Sequence, residues 1–139
     1  MKNCPHIMVV DDDHDILRIV SRTLELEGYT VSLATGGKEA LALLEECHPD
    51  LVLLDVMMPE LDGFQVLELL RQRSNVPVIM VTARCEPISL QKALILGADD
   101  YLKKPFRPLV LIARIRSKLR RARMAATLTA VKSPPRLQS

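Results

Sequence analysis

Short apolar runs alternate along the chain with longer segments in which apolar residues recur every three or four positions. The runs are continuous and rich in β-branched residues, which is typical of strands covered on both faces. They predict strands over Ile7–Val10, Tyr29–Leu33, Leu51–Leu54, Val76–Val81 and Tyr101–Lys103. The periodic segments, several of them ended by glycine or proline, predict helices over Ile16–Glu27, Lys38–Cys47, Phe64–Arg73, Ile88–Leu96 and Pro108–Arg123.

Five successive strand–helix units predict an α/β fold with right-handed crossovers and a doubly wound parallel sheet. Asp13 or Asp15 is expected to cap the first helix and Asp62 the third, because a carboxylate accepts hydrogen bonds from the free amides there. In an open parallel sheet, ligands bind outside the carboxyl ends of the strands. The chemistry of this chain is therefore expected where its predicted strands end.

Polar residues follow four of the predicted strands at the point where the apolar run stops. Asp11 and Asp12 follow the first strand, and Asp55 follows the third. Thr82 follows the fourth, and Lys104, which precedes a proline, follows the fifth. One rim of the sheet then carries carboxylates, a hydroxyl and an ammonium, a set suited to a divalent cation and a phosphoryl group.

The acidic residues of this rim predict a site for Mg²⁺, a hard ion that prefers oxygen ligands and keeps several waters. Neighbouring carboxylates repel one another, and a cation between them relieves that repulsion. A carboxylate that attacks phosphorus forms an acyl phosphate, a transfer that needs mainly positioning and charge stabilisation. Simpler roles stay open: Asp11 and Asp12 as helix caps, and Thr82 as an ordinary strand end.

The 139 residues are enough for one domain with a buried core and a tail. No apolar run approaches the roughly 18 residues of a membrane-spanning helix, so no membrane contact is expected. The N-terminus lacks the apolar stretch of a signal peptide. Cys4, Cys47 and Cys85 are odd in number and have no metal-binding spacing, so reduced thiols and a cytoplasmic location are expected.

Charge is divided unevenly along the chain. Residues 1–113 carry 11 Lys and Arg against 17 Asp and Glu, whereas residues 114–139 carry 8 Lys and Arg and no acid. The basic end could contact nucleic acid, complement the dipole of the last helix, or lead to a further domain. The expected organisation is a folded domain over 1–123 and a basic linker or tail over 124–139.

Four motifs together resemble the receiver domain of bacterial two-component response regulators over about residues 5–123. They are Asp11-Asp12, LLDVMMPELDG around Asp55, VTA around Thr82, and GADDYLKKPF around Lys104. The resemblance implies a flavodoxin-like (βα)5 sandwich with strand order 2-1-3-4-5. It also implies Mg²⁺ as cofactor and a sensor histidine kinase as partner, whose phosphohistidine supplies a phosphoryl group.

The resemblance assigns the phosphoacceptor role to Asp55. Asp12 and Asp55 would bind the metal directly, together with the backbone carbonyl of Met57, and Asp11 would act largely through water. Such a domain promotes its own phosphorylation and dephosphorylation but is a switch rather than a conventional enzyme.

The resemblance also assigns the groups that respond to phosphate. Thr82 would hydrogen-bond a phosphoryl oxygen and Lys104 would pair with the phosphate. Independently of the resemblance, Pro105 after Lys104 indicates a cis bond that would aim the ammonium into the site. Tyr101 would be the aromatic residue whose rotamer reports the state, and Arg84 would tune access of hydrolytic water or simply be solvated.

GADDYLKKPF followed by IARIRSKLRRA resembles the OmpR-like subfamily, whose receivers precede a winged-helix DNA-binding domain. These receivers dimerise on phosphorylation through the fourth helix, fifth strand and fifth helix. The residues expected on that face here are Leu90, Asp99, Asp100, Leu109, Val110 and Arg114. Leu90 and Val110 stand where the subfamily has a Lys–Glu ion pair, so an apolar contact is expected instead. DNA binding is expected only through an output domain, of about 100 residues, outside this chain.

Three other readings compete with this one. A single-domain regulator of the CheY type would signal by binding a target protein. A phosphotransferase resembling haloacid dehalogenases needs an acid two positions after its nucleophile, and that position is Met57. A pseudo-receiver that never takes phosphate is disfavoured by the intact set of acidic, hydroxyl and ammonium residues.

Overall fold

The computed structural model describes residues 4–83 and 87–132, apart from the side chains of Ile88 and residues 129–132. Arg84 and Cys85, which entered the expectations above, lie outside the described residues. Within this part of the chain, strands and helices alternate as the sequence predicts. Their bounds are β1 His6–Val10, α1 His14–Leu26, β2 Thr30–Ala34, α2 Gly37–Cys47, β3 Leu51–Asp55, α3 Gly63–Arg71, β4 Val78–Thr82, α4 Pro87–Ile95, β5 Asp100–Lys103 and α5 Pro108–Lys132.

The strands form one parallel sheet in the order β2-β1-β3-β4-β5, which confirms the predicted fold class and topology. β3 lies at the centre and is buried along its whole length. Asp55, its last residue, lies opposite Val81 of β4, and Thr82 lies opposite Lys103 of β5. The register therefore brings the polar ends of neighbouring strands to the same edge.

Two hydrophobic cores cover the faces of the sheet, because successive strand side chains point to opposite sides. Met8 and Val10 of β1 lie in the core beneath α2, α3 and α4. Ile7 and Val9 lie in the core beneath α1 and α5. Coverage on both faces explains why the strands are continuous apolar runs rather than alternating ones.

The helix caps expected from the sequence are present. The Asp13 carboxylate accepts hydrogen bonds from the backbone amides of Asp15 (2.9 Å) and Ile16 (3.4 Å) at the start of α1. Asp62 and Gln65 form a reciprocal capping box at the start of α3. Asp13 is thus the cap of α1, and Asp15 lies in its first turn.

Helix α5 differs most from the expectation, because it continues to Lys132 rather than ending at Arg123. Residues 122–130 contain four alanines and no glycine or proline, so helix propensity is high there. β4 begins at Val78 rather than Val76, after Pro77, which has no amide to donate to a strand ladder. Among the described residues, no helix is both long and apolar enough to cross a membrane.

Candidate functional site

The carboxyl edge of the sheet gathers three acidic side chains. One carboxylate oxygen each from Asp11, Asp12 and Asp55 lies within 4.8 Å of the other two. Asp11 and Asp55 are buried, whereas Asp12 is exposed. The cluster is therefore buried on the side of Asp11 and Asp55 and accessible to solvent on the side of Asp12.

Lys104 reaches this cluster from the end of β5. Its Nζ donates to Asp11 Oδ2 at 2.8 Å and to Asp55 Oδ1 at 3.3 Å. Its backbone amide donates to the carbonyl oxygen of Thr82 at 2.7 Å, and the Lys104–Pro105 peptide bond is cis, as the sequence had indicated. Since the side chain is only one-fifth exposed, the ammonium is held among the carboxylates.

Asp55 has an unusual protonation equilibrium. Burial, followed by the charge of Asp11, raises its pKa from 3.8 to about 6, against the lowering effects of Lys104 and of a hydrogen bond from the Met57 backbone. Burial alone would lower the pKa of Lys104, but its hydrogen bonds and charge interactions with Asp11 and Asp55 outweigh that, and its pKa is raised. At neutral pH, Asp55 is therefore ionised although its burial disfavours the ionised form, and it lies beside a protonated lysine.

The geometry fits a magnesium ion. Mg²⁺ binds oxygen at about 2.0–2.1 Å, so two ligands on opposite sides of the ion lie about 4 Å apart. The spacing of the three carboxylates, at most 4.8 Å between oxygens, is compatible with that distance. One Asp11 oxygen already accepts the Asp13 amide at 2.9 Å and the other accepts Lys104, which leaves Asp12 and Asp55 as the freer ligands.

Thr82 and Tyr101 lie on the neighbouring strands β4 and β5. Thr82 is fully buried as the last residue of β4. Tyr101 is 9% exposed and lies in the core that also contains Ala93 and Ala98. A cavity of about 590 Å³ adjoins Thr82 and is lined by Met57, Phe64 and Ser89, among others.

Gly63 is a residue whose role the motif alone did not explain. A Cβ added there would lie 2.4 Å from the backbone oxygen of Asp55 and 2.7 Å from Cα of Val56. The Gly63 amide donates to the Val56 carbonyl at 2.9 Å. The start of α3 thus passes directly over the end of β3, and only glycine allows this approach without moving the backbone that carries Asp55.

The six residues expected on the dimer face fall into two groups. Leu90, Leu109 and Val110 are exposed (41%, 82% and 37%), as are Leu94 and Ile95 of α4, and we call these five residues the α4–α5 apolar surface.

The charged residues of that expected face have partners within the chain. Arg114 pairs with Asp100 at 2.7 Å. Asp99 accepts from Arg71 at 2.9 Å and from the Val78 amide at 2.8 Å, so its carboxylate fastens the end of α3 to β4.

Comparison with known proteins identifies the class to which this fold and site belong. Residues 7–116 match the family model described as "Response regulator receiver domain", and the chain belongs to that family. A "Probable transcriptional regulator ycf27" of Porphyridium aerugineum is 49% identical over 121 residues, 87% of this chain and 50% of that protein. A "Transcriptional regulatory protein CpxR homolog" of Haemophilus influenzae is 52% identical over 116 residues, 84% of this chain and 51% of that one.

Solved structures give the same result. A receiver domain protein described as CheY-like, from Methanospirillum hungatei, superposes with a TM-score of 0.84 at 34% identity, covering 88% of this chain and 99% of that one. The chain spans about half the length of the curated relatives named above. The predicted family and fold are therefore confirmed, and the relatives are transcriptional regulators.

Proposed function

We propose that this receiver domain accepts a phosphoryl group from a sensor histidine kinase on Asp55, with Mg²⁺, and that the phosphoryl group controls a transcriptional output. The observation that supports this most is the position of Asp55. It is buried at the end of the central strand, within 4.8 Å of two other carboxylates and 3.3 Å from an ammonium. Asp11 and Asp12 lack that central position.

The transfer is a displacement at phosphorus. A carboxylate oxygen of Asp55 forms the new P–O bond, and the P–N bond to the kinase histidine breaks, leaving that histidine with the bonding electron pair and an aspartyl phosphate here. Mg²⁺, held by Asp12, Asp55 and the Met57 backbone carbonyl and by Asp11 through water, would neutralise charge on the phosphoryl oxygens. Apart from this reaction and the hydrolysis of the aspartyl phosphate, in which water takes the phosphoryl group and Asp55 is regenerated, the chain is a switch rather than a conventional enzyme.

Lys104 and Thr82 complete the site on the side of β4 and β5. The ammonium of Lys104 moves from the carboxylates to a phosphoryl oxygen, which provides charge stabilisation where negative charge is greatest. The Thr82 hydroxyl donates to another phosphoryl oxygen. These two contacts exist only in the phosphorylated state, so they bias the equilibrium between two conformations, with Tyr101 moving in concert with Thr82.

The output proposed is dimerisation through α4, β5 and α5, followed by DNA binding through an output domain outside this chain. The α4–α5 apolar surface supports a homodimer contact, because its five residues are large and exposed and belong to the two helices joined to the edge strand β5. The names of the relatives support a transcriptional role. The alternative is a regulator that acts as a single domain by binding a target protein. The similarity to a CheY-like receiver structure supports this alternative.

The direct test measures intact mass and molecular size with Mg²⁺, before and after a small phosphodonor or beryllofluoride. Wild type should gain one phosphoryl group and become a dimer, whereas Asp55→Ala should do neither. Asp15→Ala is the matched control, since Asp15 is an exposed acid of the first turn of α1 outside the metal cluster. Phosphorylation of Asp55→Ala at the wild-type rate would refute the proposed site, and phosphorylation without dimerisation would favour the single-domain alternative.

A further inference from the structure

Helix α5 continues well beyond the part of the domain that it packs against. Leu119, 7% exposed, is the last buried residue among the described side chains of α5, and residues 120–128 are exposed except for the half-buried Ala122. At about 1.5 Å per residue, the segment from Arg120 to Lys132 is about 20 Å long. Because α5 runs antiparallel to β5, this projecting segment leaves the domain at the amino ends of the strands. Asp55 lies at their carboxyl ends. The projecting segment is thereby separated from the acidic site.

The projecting segment carries most of the uncompensated positive charge of α5. This helix contains seven Lys and Arg and no acidic residue. Two are neutralised by the body of the domain: Arg114 by Asp100 at 2.7 Å and Arg116 by Glu27 at 2.8 Å. Among the residues whose side chains are described, four cations of α5 have no hydrogen-bond or ion-pair partner: Lys118, Arg120, Arg121 and Arg123.

These cations are arranged in two stripes rather than one. With 3.6 residues per turn, positions four and then three apart share a side of the helix. One stripe consists of Lys118 and Arg121, and the other, on the nearly opposite side, consists of Arg120 and Arg123. The neutralised Arg114 and Arg116 precede them in the same two rows. Met124 and Leu128, both more than half exposed, lie between them on the outward side. The projecting segment is therefore a narrow cylinder with positive charge on two sides.

We propose that the projecting segment of α5 binds the backbone of double-stranded DNA by lying in the major groove. An α-helix about 10–12 Å across matches a groove about 12 Å wide, whose two walls are lined by phosphates. Both stripes then meet phosphate at once. A membrane surface or an acidic protein helix would touch one side and leave the other stripe unpaired. A second α5 helix would bring like charges together.

The proposed contact is to the DNA backbone, with the cations of the segment assigned to phosphate. Residues 120–132 include no Asn or Gln to read adenine edges and no aromatic side chain to stack on bases. Phosphate contacts position a protein on DNA and supply affinity without specificity. This DNA contact belongs to the receiver's own last helix and does not depend on the phosphoryl chemistry at Asp55, so either can fail without the other.

The test is fluorescence anisotropy of a labelled duplex of arbitrary sequence with the full 139-residue chain, without Mg²⁺ or phosphodonor. Phosphate contacts from Arg120, Arg121, Arg123 and the preceding Lys118, four in all, predict an affinity that falls about 100-fold between about 50 and 200 mM salt. For R120Q/R121Q/R123Q the fall should shrink to about 4-fold, because one contact remains. Glutamine keeps the helix propensity, and far-UV circular dichroism confirms that the helix persists.

The control is R18Q/R22Q/R73Q, which removes the same charge from exposed residues of the body. It should bind DNA as wild type does. Equal loss in both triple variants would show that only net charge matters and overturn the assignment to α5. No binding of wild type at low salt would also overturn it. Binding to vesicles containing phosphatidylglycerol, with none to the duplex, would replace DNA by a membrane surface as the partner.

Discussion

The ammonium nitrogen of Lys104 lies 3.3 Å from a carboxylate oxygen of Asp55, although 49 positions separate the two residues in the chain. The same nitrogen lies 2.8 Å from Asp11, so Lys104 occupies the acidic cluster together with the groups that would hold a metal. Without phosphate, a lysine here competes with Mg²⁺ for negative charge. With phosphate, it has a further anion to bind.

Lys104→Met should therefore have opposite effects on Mg²⁺ affinity and on the rate of phosphorylation. Loss of the ammonium removes repulsion, so the variant should bind Mg²⁺ more tightly than wild type. Loss of charge stabilisation should slow phosphorylation by a small donor about 100-fold or more. The measurements are a Mg²⁺ titration and the rate of mass gain at saturating Mg²⁺.

Lys103→Met is the matched control for this change. Lys103 is the exposed neighbour, one position earlier on β5, and both measurements should stay at wild-type values. If Lys104→Met weakened Mg²⁺ binding, the lysine would be supporting the metal site rather than competing with it.

The raised pKa of Asp55 predicts a stability that falls as pH rises. The folded state holds the proton until about pH 6, whereas the unfolded chain releases it near 3.8, so more protons are bound by the folded state between these values. Above pH 6 the charged, buried carboxylate should cost about 3 kcal/mol at 1.36 kcal/mol per pKa unit. Asp55→Asn should thus be more stable than wild type at pH 8 by about 2–3 kcal/mol, and the difference should vanish toward pH 4.

Urea denaturation at pH 8 and at pH 4, with and without Mg²⁺, checks this pH dependence. Mg²⁺ should stabilise wild type at pH 8, since a ligand that binds only the folded state adds to its stability, and should hardly affect Asp55→Asn. Asp15→Asn provides the comparison for loss of an exposed carboxylate. An Asp55→Asn protein that is less stable than wild type at pH 8 would contradict the assigned pKa.

Gly63→Ala should disturb the site through the backbone. Its Cβ would lie 2.4 Å from the Asp55 carbonyl oxygen, so β3 and the start of α3 must move apart. We expect a loss of at least about 2 kcal/mol in the free energy of unfolding, as in other overpacked sites, and slower phosphorylation of the displaced Asp55. Gly36→Ala is the control, because nothing lies within 4 Å of a Cβ there, and it should cost no more than about 1 kcal/mol. Equal losses in the two variants would mean that the close approach at Gly63 is unimportant.

The sequence was sufficient to place Asp55, Thr82 and Lys104 on one edge, because apolar runs mark strand ends and parallel strands end together. The apolar pattern did not show which of Asp11 and Asp12 is buried, although the family resemblance assigned them different roles at the metal; the two neighbours have opposite exposure. The difference in exposure depends on which of the two side chains turns inward after β1 ends. Because Asp11, Asp12 and Asp13 are three successive acids, no alternation of apolar and polar residues indicates which one is buried.

Contacts between distant elements were also beyond the sequence. Arg71 of α3 donates to the carbonyl oxygen of Gly97 from Nε (3.0 Å) and Nη2 (2.8 Å), and to Asp99. No periodicity encodes such a side-chain-to-backbone contact across 26 positions. The extension of α5 beyond Arg123, in contrast, could have been predicted from the sequence, because the alanines there have high helix propensity.

The α4–α5 apolar surface leads to the last prediction. Leu90 is 41% exposed and lies on α4 one helical turn before Leu94, which is 55% exposed. Leu90→Lys should abolish or strongly weaken phosphorylation-dependent dimerisation, because a charge buried in an apolar contact without a partner is costly. Phosphorylation itself should proceed at the wild-type rate. Ile19→Lys, on the exposed side of α1 at 61% exposure, is the matched control and should dimerise normally. Light scattering after beryllofluoride treatment gives the mass of each variant, and a Leu90→Lys protein that dimerises as wild type does would remove this surface from the interface.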